Sequence, residues 1–132
     1  MPLVRITLAR DTSAEHRRAI ADGVHQALVE TAAVPPDDRF QSVHEVAASD
    51  LHWSATYLGL ERTAAIVFVQ IFLNQGRTPE VKKALYARIA EKLAAQPGLR
   101  KEDVLVNLVE VPRENWSFGG GVMSYPPQEN VT

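Results

Sequence analysis

Four features of this chain combine residue types and positions that can do chemistry. Pro2 follows an initiator methionine, which is normally removed ahead of a small residue; the proline would then end the chain as a secondary amine. An α-amine has a reference pKa of about 8, and burial without a partner lowers it, leaving a base available near neutral pH. Arg77 stands directly before Thr78 and Pro79, residues suited to the N-cap and first position of a helix. A guanidinium there can grip a substrate carboxylate through two parallel hydrogen bonds. Asp38 can hold Pro2 or orient a water, or can simply start a strand. Trp116 and Phe118 lie two residues apart, so in a strand they face one side and can line an aromatic-friendly pocket.

Other chemistries find no support. The 132 residues include no cysteine, which removes thiolate nucleophiles, disulfides and zinc-cysteine sites and fits a reducing cytoplasm. His16, His44 and His52 show no ligand spacing, so no metal site and no cofactor is expected. Gly119-Gly120-Gly121 lacks the strand-turn-helix setting of a phosphate loop. A net charge of -2 points to no nucleic-acid or membrane partner. No apolar run reaches the roughly 18 residues of a spanning helix, and the first residues do not form a signal peptide. The expected location is cytoplasmic.

The elements that must position these residues follow a repeat. Leu3 to Leu8 alternates as a strand, and Thr12 or Ser13 can cap a helix whose stripe is Ile20, Val24 and Leu28. Pro35-Pro36 must end that helix, and Phe40 to Val46 reads as a second strand. Sliding the chain by 65 residues, so that Pro2 meets Val67, places Val4, Ile6 and Leu8 on Val69, Ile71 and Leu73. The helix stripe falls on Leu85, Ile89 and Leu93, Asp38 on Asp103, and Glu45-Val46 on Glu110-Val111. Agreement of strand, cap and stripe without a gap marks a duplication.

The expected fold is therefore α/β (α+β): a tandem β-α-β repeat building a four-stranded mixed sheet with two helices on one face. One domain spans 1–132, with units about 2–46 and 67–111, a connector 47–66 and a C-terminal arm 112–132 that forms a hairpin or docking arm. Within each unit the strands should be parallel. The run from Ala64 to Leu73 is apolar almost without alternation, so the second sheet face also needs a cover, most simply another copy of the chain.

Three segments carry a resemblance. They are Val34-Pro35-Pro36-Asp37-Asp38-Arg39-Phe40-Gln41, Gly76-Arg77-Thr78, and Asn115-Trp116-Ser117-Phe118-Gly119. With Pro-Leu-Val entering the first strand, they make the chain similar to the tautomerase superfamily. Its duplicated length resembles the malonate semialdehyde decarboxylase and cis-3-chloroacrylate dehalogenase branches. The resemblance implies Pro2, Asp38 and Arg77 as catalytic residues. It implies Arg77, Gln75, Asn74, Trp116 and Phe118 as substrate-binding ones, and a homotrimer in which three duplicated chains form a six-unit ring. His25 aligns with a catalytic histidine of the dehalogenase branch. The decarboxylase pattern has two loop arginines flanking a proline; here Gln75 replaces the first, and Asn74 occupies the second arginine position of the dehalogenases. One cation is expected.

Three functions compete. Neutral Pro2 can move a proton on the enol or keto form of a small 2-keto acid whose carboxylate Arg77 holds, which is cofactor-independent tautomerisation. Cationic Pro2 with Asp38 can instead decarboxylate or hydrate a 3-oxo acid such as malonate semialdehyde. In a third reading the chain is a non-catalytic trimeric binding protein. The single loop cation ranks tautomerisation first.

Overall fold

The computed structural model describes residues 1–127. Strand β1 (Leu3–Ala9), helix α1 (Ala14–Thr31) and strand β2 (Gln41–Val46) form one β-α-β unit. Strand β3 (Val67–Asn74), helix α2 (Pro79–Ala95) and strand β4 (Val104–Val111) form the other. Each unit pairs its two strands in parallel, and β1 meets β3 antiparallel, giving a mixed sheet in the order β2-β1-β3-β4. This is the expected fold.

Alternation places the core. Val4, Ile6 and Leu8 pair across the sheet with Ile71, Val69 and Val67, and all six are buried in one cluster with Ile20, Val24, Leu28, Leu85, Ile89 and Leu93. Fully burying a side chain of this kind contributes about 1.5–3 kcal/mol. The helices pack closely, because a Cβ on Gly23 of α1 would come 2.9 Å from Leu93 Cδ2 of α2. An ion pair recurs at equivalent repeat positions: Arg17 with Glu45 at 3.0 Å, and Lys82 with Glu110. Each ties the first turn of a helix to the end of the strand that follows it.

Both helices start where the sequence says. Ser13 accepts a hydrogen bond from the His16 amide, and Thr78 accepts one from Val81, with Pro79 beginning α2. The end of α1 differs from expectation. It stops at Thr31, short of the prolines, because Ala33 takes a left-handed φ of 57° and the amides of Ala32 and Val34 both return to the Leu28 carbonyl.

Strand β3 does alternate in its surroundings. Val67, Val69, Ile71 and Leu73 lie under the helices, while Phe68, Gln70, Phe72 and Asn74 are half-buried on the other face. That open face also carries Leu3 at 41% and Leu105 at 44% exposure. In the arm no strand forms among the described residues; a 3-10 turn at Arg113–Asn115 leads into an aromatic cluster. Trp116 and Phe118 therefore do not share a strand face but stack on each other, with centroids 5.1 Å apart. Residues 128–132, the end of the expected arm, lie outside the described residues.

Candidate active site

Three pieces of chain meet at one end of the two central strands. The first is the buried Pro2 at the entry to β1, anchored by the Val4 amide donating to the Phe40 carbonyl at 2.9 Å. The second is the segment after α1, which carries Asp38. The third is the loop after β3, which carries Asn74, Gln75 and Arg77, with the start of the arm beside it.

The two repeat-equivalent aspartates differ sharply. Asp103 is fully buried and satisfied: the Thr63 amide and the Thr63 hydroxyl each donate to it at 2.6 Å. Asp38 is only 7% exposed, and neither carboxylate oxygen accepts a hydrogen bond from a described residue. Its nearest opposite charge is the chain's terminal amine, on Met1, 3.6 Å from Oδ2. A strand-starting aspartate needs only what Asp103 has. A buried, unsatisfied carboxylate is costly, and such cost concentrates where a protein does chemistry.

Charge around that amine is balanced. Burial is the largest influence and holds the amine below its usual value; Asp38 pulls it up, and Arg77 and Arg113 push it down. The net direction favours the neutral amine. The β3 loop holds the one expected cation, Arg77, and Arg113, which follows β4 instead of lying in that loop, adds a second positive charge near the amine. The Gln75 amide donates to the Val111 carbonyl at 3.0 Å, extending the β3–β4 pairing and setting the Arg113 turn beside the loop. A basic residue two places past the last β4 residue was the available signal, but without the strand register nothing in the sequence directed it to this end of the sheet.

Arg77 has a structural task besides. Its Nε and Nη2 donate to the Ala32 carbonyl at 3.2 and 3.0 Å, and Nη1 donates to the Asn74 carbonyl at 3.2 Å. It thus closes the C-terminus of α1, where a cation also complements the helix dipole. Of its five N–H groups, one on each terminal nitrogen remains, and two such groups can still engage a carboxylate.

The other candidates divide. Asn74 accepts a hydrogen bond from the Trp116 indole at 2.7 Å, so its side-chain oxygen serves to hold the aromatic wall. Phe118 reaches Phe40 at 5.7 Å and Tyr125 at 5.9 Å, so the wall spans from the arm to the start of β2. Gln75 is exposed and lines, with Arg113, Glu114, Ser124 and Tyr125, a cavity of about 860 Å³. That cavity abuts the site without including Pro2, Asp38 or Arg77 in its lining. His25 is buried, and its Nε2 lies 2.8 Å from the Pro36 carbonyl. It braces the segment that presents Asp38 two residues later. Among the described residues no cluster could hold a metal ion, and no helix is long and apolar enough to cross a membrane.

Comparison with known proteins agrees with this fold. Two family models, each described as tautomerase enzyme, match residues 38–119 and 2–59. A probable tautomerase of Bacillus subtilis, YusQ, is 38% identical over 121 residues, covering 92% of this chain and 95% of that protein. A 2-hydroxymuconate tautomerase of Pseudomonas putida is 38% identical over 53 residues, 40% of this chain and 84% of the relative. Among solved structures, a malonate semialdehyde decarboxylase inhibited by 3-bromopropiolate superposes with a TM-score of 0.88 at 42% identity, covering 93% of both chains. A fused 4-OT symmetric trimer superposes at 0.76 with 25% identity, covering 92% of this chain and 94% of the other.

Proposed function

Because the chain belongs to the tautomerase family of enzymes, we propose that Pro2, freed by removal of Met1, is the general base of a cofactor-independent tautomerase acting on a small 2-keto acid. The carrying observation is the buried carboxylate of Asp38, without a hydrogen-bond partner and 3.6 Å from the terminal amine. Burial, Arg77 and Arg113 hold the Met1 amine below its usual value against the pull of Asp38, and a secondary amine brought to the same place would meet the same opposing influences. It takes the proton from the enol hydroxyl or from the carbon beside the carbonyl and returns it at the other position. Arg77 holds the carboxylate with its two remaining N–H groups, and Trp116 and Phe118 wall the carbon chain.

A second reading has its own support: the charge of Asp38 raises the amine's pKa, and the decarboxylase structure is 42% identical over nearly the whole chain. In that reading a cationic Pro2 polarises the carbonyl of a 3-oxo acid, and Asp38 assists loss of carbon dioxide or addition of water. The pH profile separates the two. For a neutral base, kcat/KM on an enolised aryl pyruvate rises with pH through a pKa below the usual α-amine value of about 8. For a cationic Pro2 it falls through that pKa. A falling profile on the aryl pyruvate would overturn the general-base assignment.

A homotrimer is part of this proposal. The open sheet face, with Phe68, Phe72, Leu3 and Leu105, needs a cover, and the fused 4-OT structure is described as a trimer.

A further inference from the structure

The segment that carries Asp38 is tied to helix α1 in a way its repeat counterpart is not. Pro35 to Asp38 forms a tight turn, closed by the Asp38 amide donating to the Pro35 carbonyl at 3.0 Å. From the helix, the buried His25 places Nε2 2.8 Å from the carbonyl of Pro36, the second residue of that turn. A carbonyl only accepts, so Nε2 carries the hydrogen, and the bond forms whether the ring is neutral or charged. Past Asp38, Gln41 donates to the Ala21 carbonyl at 2.8 Å and Arg39 to Asp22 at 2.6 Å. In the second unit Asp22, His25, Arg39 and Gln41 become Ala87, Ala90, Val104 and Val106, whose side chains form no hydrogen bonds. Among the described residues these ties therefore belong only to the unit whose aspartate is buried without a hydrogen-bond partner; Asp103 has Thr63 instead. The Arg39–Asp22 pair is exposed, where solvent screens it, whereas the His25 bond is shielded.

We propose that His25 is a positioning residue: through the Pro36 carbonyl it holds the Asp38 carboxylate beside the chain's first amine. This rests on the reading of Pro2, freed of Met1, as the base. Burial lowers the pKa of the first amine, Asp38 raises it, and Arg77 and Arg113 lower it further, so an Asp38 free to move away leaves the amine less basic. The test is a nitrogen-15 NMR titration of that amine in the full chain beginning at Pro2, without substrate. His25→Gln still presents an N–H near the place of Nε2; His25→Asn is too short to do so, and His25→Leu has no donor. The pKa should hold in His25→Gln and in Asp22→Ala. In His25→Asn and His25→Leu it should fall by at least roughly half the change that Asp38→Asn itself produces. An amine that titrates as in the parent in Asp38→Asn, or in a His25→Asn or His25→Leu variant shown by circular dichroism to be folded, would overturn the assignment. So would an equal fall in His25→Gln or Asp22→Ala. The titration is read without turnover, so an acid limb of kcat/KM that fails to follow the amine would count against Pro2 as base and not against His25.

Discussion

Asp38 and Asp103 are the same residue at equivalent places of a repeat, yet their surroundings assign them opposite tasks. Removing the charge from each should therefore have opposite consequences. Asp103→Asn weakens two short bonds to Thr63 and should cost about 1–3 kcal/mol in urea unfolding. Asp38→Asn relieves a buried carboxylate without a hydrogen-bond partner and should leave stability unchanged or raise it by up to about 1 kcal/mol. It should also move the acid limb of kcat/KM to lower pH, because Asp38 raises the pKa of the amine beside it. Equal destabilisation by both substitutions would mean that Asp38 merely starts its strand. At this scale the sequence was only half informative. The types and positions of Pro2, Asp38 and Arg77 were legible, but the satisfied state of Asp103 depends on Thr63, in a connector whose path no periodicity specifies. The use of Asn74 as a strut for Trp116 was hidden for the same reason: a hydrogen bond between residues far apart in sequence leaves no local pattern.

At the scale of elements, the helices and strands were legible because their patterns are local. Ser13 and Thr78 announce two helix starts, and Val4, Ile6 and Leu8 announce a strand with one buried face. The end of α1 was not, since the prolines suggested a stop that Ala33 makes earlier by turning left-handed. That early stop leaves the Ala32 carbonyl where Arg77 caps it, so the second unit holds the end of the first helix in place. The closeness of the two helices was also invisible, because Gly23 reads as a weak helix residue until Leu93 is seen against it. Gly23→Val adds atoms where even a Cβ lies 2.9 Å from Leu93 Cδ2, and should cost about 1–3 kcal/mol by overpacking. Thermal unfolding checks this; a variant as stable as the parent would show that the helices can move apart freely.

For the whole molecule, the duplication puts two helices on one face and leaves the other, partly apolar face only partly covered, by the connector near Phe68 and Leu105 and by the arm near Leu3 and Phe72. A closed ring of three copies, in which each chain presents one patch to a different patch of its neighbour, would cover the remainder. Light scattering should give the mass of a trimer at micromolar concentration, and a stable monomer would remove the argument from the open face. The two halves are not equivalent in chemistry. The repeat position of Pro2 is Val67, inside a strand, and that of Arg77 is Thr12, so each chain has one complete set of candidate residues.

The proposed chemistry depends on the state of the chain's first amine. Retained Met1 turns the Pro2 nitrogen into an amide with no basic lone pair, while the rest of the site stays in place. The decisive measurement is the tautomerisation rate of an enolised aryl pyruvate by two preparations of verified intact mass, one beginning at Pro2 and one retaining Met1. The form beginning at Pro2 should be faster by roughly a hundredfold or more, the contribution of a positioned general base. Equal rates would contradict it, and Pro2 would not be the base.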